Sequence, residues 1–388
     1  MTASTKIAPS HPPHTLSPSR HYHIDNIRAL MSFFIVLLHT IDLLSINLRN
    51  LEYNPGIESF SLDNMMFLAS VCLFLNGCAM PMFFFLSGHL SKSAVINRSL
   101  TARRVGSLVA IMLTVIAITN LVERWFGIAG TNHLWYLYSL AIVTVLLHLC
   151  KAINPKLLFA IAIVLGVFIE FLFWNNDGLL GSFSRLSIWK AIYSLPYFLA
   201  GLYFKKEWLQ KIANSAFRWI SPFVFVGIFF GVLWCFRQMA IEKNEFSIEQ
   251  VQTTISYFLY MVWVKNASYS FASILPRLLQ YVIVALLGLC VVAFMPQKKV
   301  PLLTTLGERA LPIYLYHIPI LVVISRFLKD YPPITSLPIL VAIALAITIF
   351  LAWKPFGIPF ELITKCVKRV IKYKEPRKAT VLDKKFKR

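Results

Sequence analysis

An arginine and a histidine punctuate the apolar run IDNIRALMSFFIVLLHT, residues 24–40: Arg28 near its start and His39 near its end. They stand eleven positions apart. On a helix, at about 1.5 Å and 100° per residue, that spacing is about 20° beyond three full turns and about 16 Å along the axis. Both side chains therefore leave one face, a cation at one level and an imidazole well beyond it. A neutral imidazole can take a proton from a hydroxyl and later return it. Asp42, one turn after His39, is placed to orient the ring. An Arg or Asp at mid-membrane costs roughly 2.5–3.5 kcal/mol on insertion scales, and His also prefers water. Arg28 has a bland reading as a snorkelling anchor, and His39 one as a buried hydrogen-bonding group; the alternative for the pair is chemistry.

Composition decides that these residues sit in a membrane. Of 388 residues, 57% are hydrophobic and 14% charged, where soluble domains are nearer 45–50% and 25%. The formal net charge of +21 is spread in short basic clusters between long apolar runs. That is how cytoplasmic loops look, and it argues against nucleic acid as a partner. The six cysteines lie in or beside apolar segments without zinc-ligand or disulfide-framework spacing. His11, His14 and His21 are irregularly spaced in a Pro- and Ser-rich stretch, so no metal site is expected.

A crossing helix needs about 20 largely apolar residues. Ten stretches qualify, at 27–46, 65–90, 105–122, 133–150, 157–174, 189–204, 219–236, 278–295, 310–328 and 335–353. The expectation is an all-α integral membrane protein with ten transmembrane helices and both termini on one side. Placing the termini in the cytoplasm puts 28 of the 38 Lys and Arg residues inside, which the positive-inside rule favours. Residues 1–20 then form a disordered cytoplasmic tail, 21–353 the membrane domain, and 354–388 a basic cytoplasmic tail drawn to anionic membrane lipids. The long loop at 237–277 contains TTISYFLYMVWV, read as an interfacial or re-entrant segment over 251–275.

Further polar residues are placed by this map. Ser87 and Gly88 fall at the inner end of the second span, and Arg103 and Arg104 at the inner start of the third, where bidentate contacts to phosphate are available. At Gly88 the missing side chain would allow either a ligand to approach the backbone or close helix packing. His133 and Trp135 open the fourth span at its outer end. Tyr314 and His317 lie mid-way along the ninth, between Pro312 and Pro319, in a stretch suited to a cavity wall. Glu170, near the outer end of the fifth, faces either a glycan or headgroups.

The arginine and histidine of the first span, MPMFFFLSGHL from Met80, ARR from Ala102, HLWYLYSL from His133 and LGERALPIYLYHIPIL from Leu306 occur in this order. Together they resemble the acyltransferase-3 family of membrane-bound O-acyltransferases over about residues 21–353. The resemblance implies a chain in the bacterial inner membrane that holds no permanent cofactor. Its acyl-coenzyme A donor would come from the cytoplasm, and its acceptor would be a glycan or glucan hydroxyl at the outer face. Arg28, Arg103 and Arg104, with Ser87 and Gly88, would then hold the donor. His39, supported by Asp42, would be general base or transient acyl carrier, and His133, Trp135, Tyr314 and His317 would line the acceptor side. The opening HYHIDNIRALM resembles the branch that succinylates osmoregulated periplasmic glucans. In one respect the chain departs from the family: Ala310 stands where a small hydroxyl residue is usual. From another class, the alternative is a transporter of a glycan or anionic solute with Arg28 and His39 along its path.

Overall fold

The computed structural model describes residues 22–46, 62–126, 134–174, 188–242, 274–328 and 331–372; these form helices joined by short connections, with no strand among them. Long apolar runs can cross lipid only when every backbone group is satisfied within its own segment, which a helix does. The helices are α1 (Tyr22–Ile41), α2 (Leu62–His89), α3 (Lys92–Ile96), α4 (Arg98–Phe126), α5 (Trp135–Leu149), α6 (Pro155–Trp174) and α7 (Ile188–Tyr203). They continue with α8 (Lys206–Asn214), α9 (Phe217–Glu242), α10 (Ile274–Phe294), α11 (Pro301–Glu308), α12 (Ala310–Phe327), α13 (Leu337–Leu351) and α14 (Lys354–Val370).

A helix occupies each of the ten apolar stretches. Among the described residues seven helices are long and apolar enough, or eight if the pair α13 and α14, bent by 51°, counts as one span. The apolar part of α6 covers only Pro155–Phe168, and α7 has 16 residues. Sixteen residues account for about 24 Å of rise within the described part of the chain. Hydropathy along the chain marks such a stretch as buried; it does not mark where its helix starts. The expected tail at 1–20, all but the last two residues of the segment 251–275, His133 and residues 373–388 lie outside the described residues, as does the side chain of Glu170.

Burial separates the working helices from the lipid-facing ones. The apolar windows of α1 and α2 are 67% and 78% buried, whereas that of α9 is 6% buried and turns Trp219, Phe223, Phe230 and Trp234 outward. In lipid an outward tryptophan or phenylalanine costs nothing, so polar groups rather than apolar ones mark the interior. The N-terminal end of α1 is held by Asn26, fully buried, whose Nδ2 donates to the carbonyls of Pro296 (2.9 Å) and Lys298 (3.0 Å). Thr304 of α11 donates to Asn26 Oδ1 at 2.8 Å. This anchor fixes the rotation of α1, and therefore the face from which Arg28 and His39 emerge.

The helices α2 and α7 cross in near backbone contact. A Cβ at Gly88 would overlap the Phe198 carbonyl, and one at Gly201 would overlap the Phe85 carbonyl. Small residues let transmembrane helices approach this closely. Of the two readings left open at Gly88, the room vacated by its side chain is filled by α7. The expected basic tail begins as α14, an amphipathic helix whose Val367, with the following Ile371, packs toward Gly106 of α4.

Candidate active site

At its C-terminal end α1 widens into a π-helical turn, Asp42–Ile46, a departure from α geometry that is frequent at functional sites. It sets the Asp42 carboxylate, 1% exposed, 3.8 Å from Nδ1 of His39, 17% exposed. That separation is an ion-pair distance rather than a hydrogen bond.

Facing His39 across the interior is His317 of α12, with ring centroids 5.2 Å apart. Nδ1 of His317 lies 2.8 Å from the Tyr314 carbonyl and 3.1 Å from that of Ile313. Carbonyls only accept, so Nδ1 carries the hydrogen and, in the neutral ring, Nε2 holds the lone pair. His39, His317, Tyr314 and Trp135 together line a cleft of about 880 Å³, counting its open mouth, and Met80 and Pro81 of α2 form part of its wall.

Trp135 corrects an expectation. The span map puts it at the outer end of the fourth helix, away from Ser87 at the inner end of the second. Instead the Trp135 ring is 6.3 Å from Phe84, and the hydroxyl of the next residue, Tyr136, is 2.7 Å from Ser87 Oγ. Thus α5 begins inside the bundle, level with the last turns of α2. The physical reason is capping: the unpaired N–H groups of its first turn need partners inside the protein. Tyr314 supplies one, its hydroxyl being hydrogen-bonded to the Tyr136 backbone.

A second polar cluster lies around Tyr136. Arg104 donates to Ser91 Oγ, and its guanidinium is 6.0 Å from the centroid of Phe198. Arg104 and Arg28 both lie close enough to act electrostatically on the Tyr136 hydroxyl. Arg28 is in addition 3.6 Å from Asp25 and keeps 29% of its side chain exposed. Arg103 is not part of this group: its Nε and Nη2 donate to the carbonyls of Ile371 and Lys368, at 2.5 and 3.4 Å. It neutralises the negative end of α14. Successive residues on a helix diverge by about 100°, so the two neighbouring arginines serve different partners.

Two levels result, an arginine–serine–tyrosine level and a histidine–aspartate level. They are joined by the ring chain Tyr136, Tyr314 and His317, with centroids 5.4 and 6.0 Å apart. Residues 21–353 match the family described as an acyltransferase domain, acyltransferase-3. The chain belongs to that family. Membership supports acyltransferase activity in a multi-pass membrane protein. No curated protein and no solved structure matches the chain.

Arg28 and His39 lie on one largely buried helix. Sequence reasoning singles out neither Tyr136 nor Lys190 and Trp189 of α7, which also line or flank the cleft. For Tyr136 the signal is present in HLWYLYSL, where its neighbour Trp135 has the look of an interfacial anchor. Lys190 carries no such signal, because by position alone it is one more cation at the end of a span.

Proposed function

We propose that this acyltransferase moves a short acyl group, acetyl or succinyl, from coenzyme A to a hydroxyl of a periplasmic or cell-surface glycan, from a ten-span position in the bacterial inner membrane with both termini cytoplasmic. The observation that carries the reading is the pairing of His39 with His317 in one cleft, with Asp42 behind the first ring. Arg28 and Arg104 are the cations that would hold the donor's phosphates, with Ser87 and Tyr136 beside the arm that leads inward. His39 takes the proton of the attacking hydroxyl. The new carbon–oxygen bond forms as the carbon–sulfur bond of the thioester breaks, and the proton passes to the departing thiolate. In the covalent variant the acyl group rests on the His39 ring between the two transfers.

Two measurements test this reading. Purified protein in detergent should release coenzyme A thiol from acetyl- or succinyl-coenzyme A only when glycan is present; hydrolysis independent of glycan, or no release at all, contradicts it. Arg28→Ala and Arg104→Ala should each raise the KM for the donor about tenfold, the size of one lost charge-assisted contact, with kcat little changed. A fall in kcat at unchanged KM would place these arginines elsewhere in the reaction.

A further inference from the structure

Between Arg28 and His39 on α1 stands a third polar side chain, Ser32, only 2% exposed. It comes four residues after Arg28 and seven before His39, which is about 6 Å and about 10.5 Å along the helix axis. At about 100° per residue it emerges about 40° from the direction of Arg28 and about 20° from that of His39. The three side chains therefore leave one face of α1 at three depths.

The Ser32 hydroxyl has no hydrogen-bond partner among the described residues. A serine or threonine inside a helix can turn its hydroxyl onto the carbonyl three or four residues back. Thr40 does so to Val36 (2.8 Å), Ser107 to Arg103 (2.8 Å), Thr144 to Leu140 (2.6 Å) and Thr348 to Ala344 (2.7 Å). Ser32 does not take the Arg28 carbonyl in this way. A buried polar atom without a partner costs free energy, so it calls for a partner supplied from outside the chain. The hydroxyls of Ser45, Thr119 and Ser139 share this condition. Ser45 lies beyond His39, Thr119 on α4 and Ser139 on α5; of the four, only Ser32 stands between Arg28 and His39.

We propose that Ser32 binds the donor, its hydroxyl hydrogen-bonding an amide of the arm that joins the phosphates of coenzyme A to the thioester. This rests on the acyl-transfer reading, which puts the phosphates at Arg28 and the reacting carbon at His39. The arm carries two amides along its length, each with an N–H and a carbonyl, and a hydroxyl can pair with either. Ile35 and Val36, between Ser32 and His39, offer it only apolar side chains. One polar contact part-way along such a wall sets how far the arm slides in, and with it the depth at which the thioester meets the His39 ring.

Equilibrium binding to full-length protein in nanodiscs tests this without turnover, using two probes. One is an unreactive thioether analogue of acetyl-coenzyme A, which has the arm; the other is adenosine 3′-phosphate 5′-diphosphate, the nucleotide head without it. Ser32→Ala should weaken the thioether about fivefold, the size of one ordinary hydrogen bond, and leave the nucleotide unchanged, whereas Arg28→Ala should weaken both. Because the hydroxyl removed has no partner in the chain and alanine is the better helix former, Ser32→Ala should keep or raise the melting temperature of the unliganded protein. Unchanged affinity for the thioether in Ser32→Ala, or equal weakening of both probes, overturns the proposal. So does a lowered melting temperature at unchanged affinity, which would make Ser32 a structural residue. If the wild type does not bind the thioether, the acyl-transfer reading itself fails and takes the assignment of Ser32 with it.

Discussion

Replacing His39 by glutamine lowers the rate of acyl transfer about a thousandfold, the middle of the range for a lost general base, and leaves the affinity for acyl-coenzyme A within about twofold of wild type. Glutamine fills nearly the same space and still hydrogen-bonds, but it cannot accept a proton and carry it as a cation. The change falls about 16 Å along α1 from Arg28, so the donor's anionic head keeps its contacts. Within the site, Asp42 and His317 are left facing a neutral amide in place of an ionisable ring. The check is kcat from initial rates together with equilibrium binding of an unreactive donor analogue. Equal losses in rate and binding would mean that His39 holds the donor rather than transferring the proton.

Gly201→Val has the largest expected effect on folding. The Phe85 carbonyl already occupies the place of the first added carbon, so α2 and α7 must separate along the line where their backbones touch. Overpacking a tight interface costs typically about 1–3 kcal/mol and more where backbone must move; a cost of about 3 kcal/mol lowers the melting temperature by roughly 4 °C in a chain of this size. Gly88→Ala should act in the same direction, against the Phe198 carbonyl. Gly231→Ala on α9 is the control, since nothing lies within 4 Å of its Cβ position, and it should be neutral or slightly stabilising. Thermal unfolding in detergent distinguishes them. If Gly88→Ala melts like wild type and instead raises the KM for the donor, Gly88 serves ligand approach and not packing.

The parts of this site that lie on one helix are legible in the sequence alone. Arg28, His39 and Asp42 are related by helical periodicity, and the fold places them on one buried element with the carboxylate beside the ring. The family resemblance over 21–353 is likewise met by the domain match. What hydropathy cannot supply is the level at which a helix begins. Trp135 opens an apolar stretch and so reads as an interfacial anchor, yet α5 starts inside the bundle, where the Tyr314 hydroxyl meets the Tyr136 backbone and the Tyr136 hydroxyl meets Ser87. Nor can adjacency in sequence show that Arg103 and Arg104 part company, one to the carbonyls ending α14 and the other to Ser91. Lys190 is hidden for a related reason: a lone cation between apolar residues looks like a loop charge until Trp135, 55 positions earlier in the chain, is found 4.6 Å from it.

The most direct test of acyl transfer through this cleft is vectorial. Proteoliposomes of uniform orientation would carry radiolabelled acyl-coenzyme A on the side of Arg28 and glycan on the opposite side. The expected result is label appearing as an alkali-labile ester on the glycan, with one free thiol per ester on the donor side, and neither product in His39→Gln. Passage of unmodified glycan across the membrane without thiol release, undiminished in His39→Gln, would contradict it.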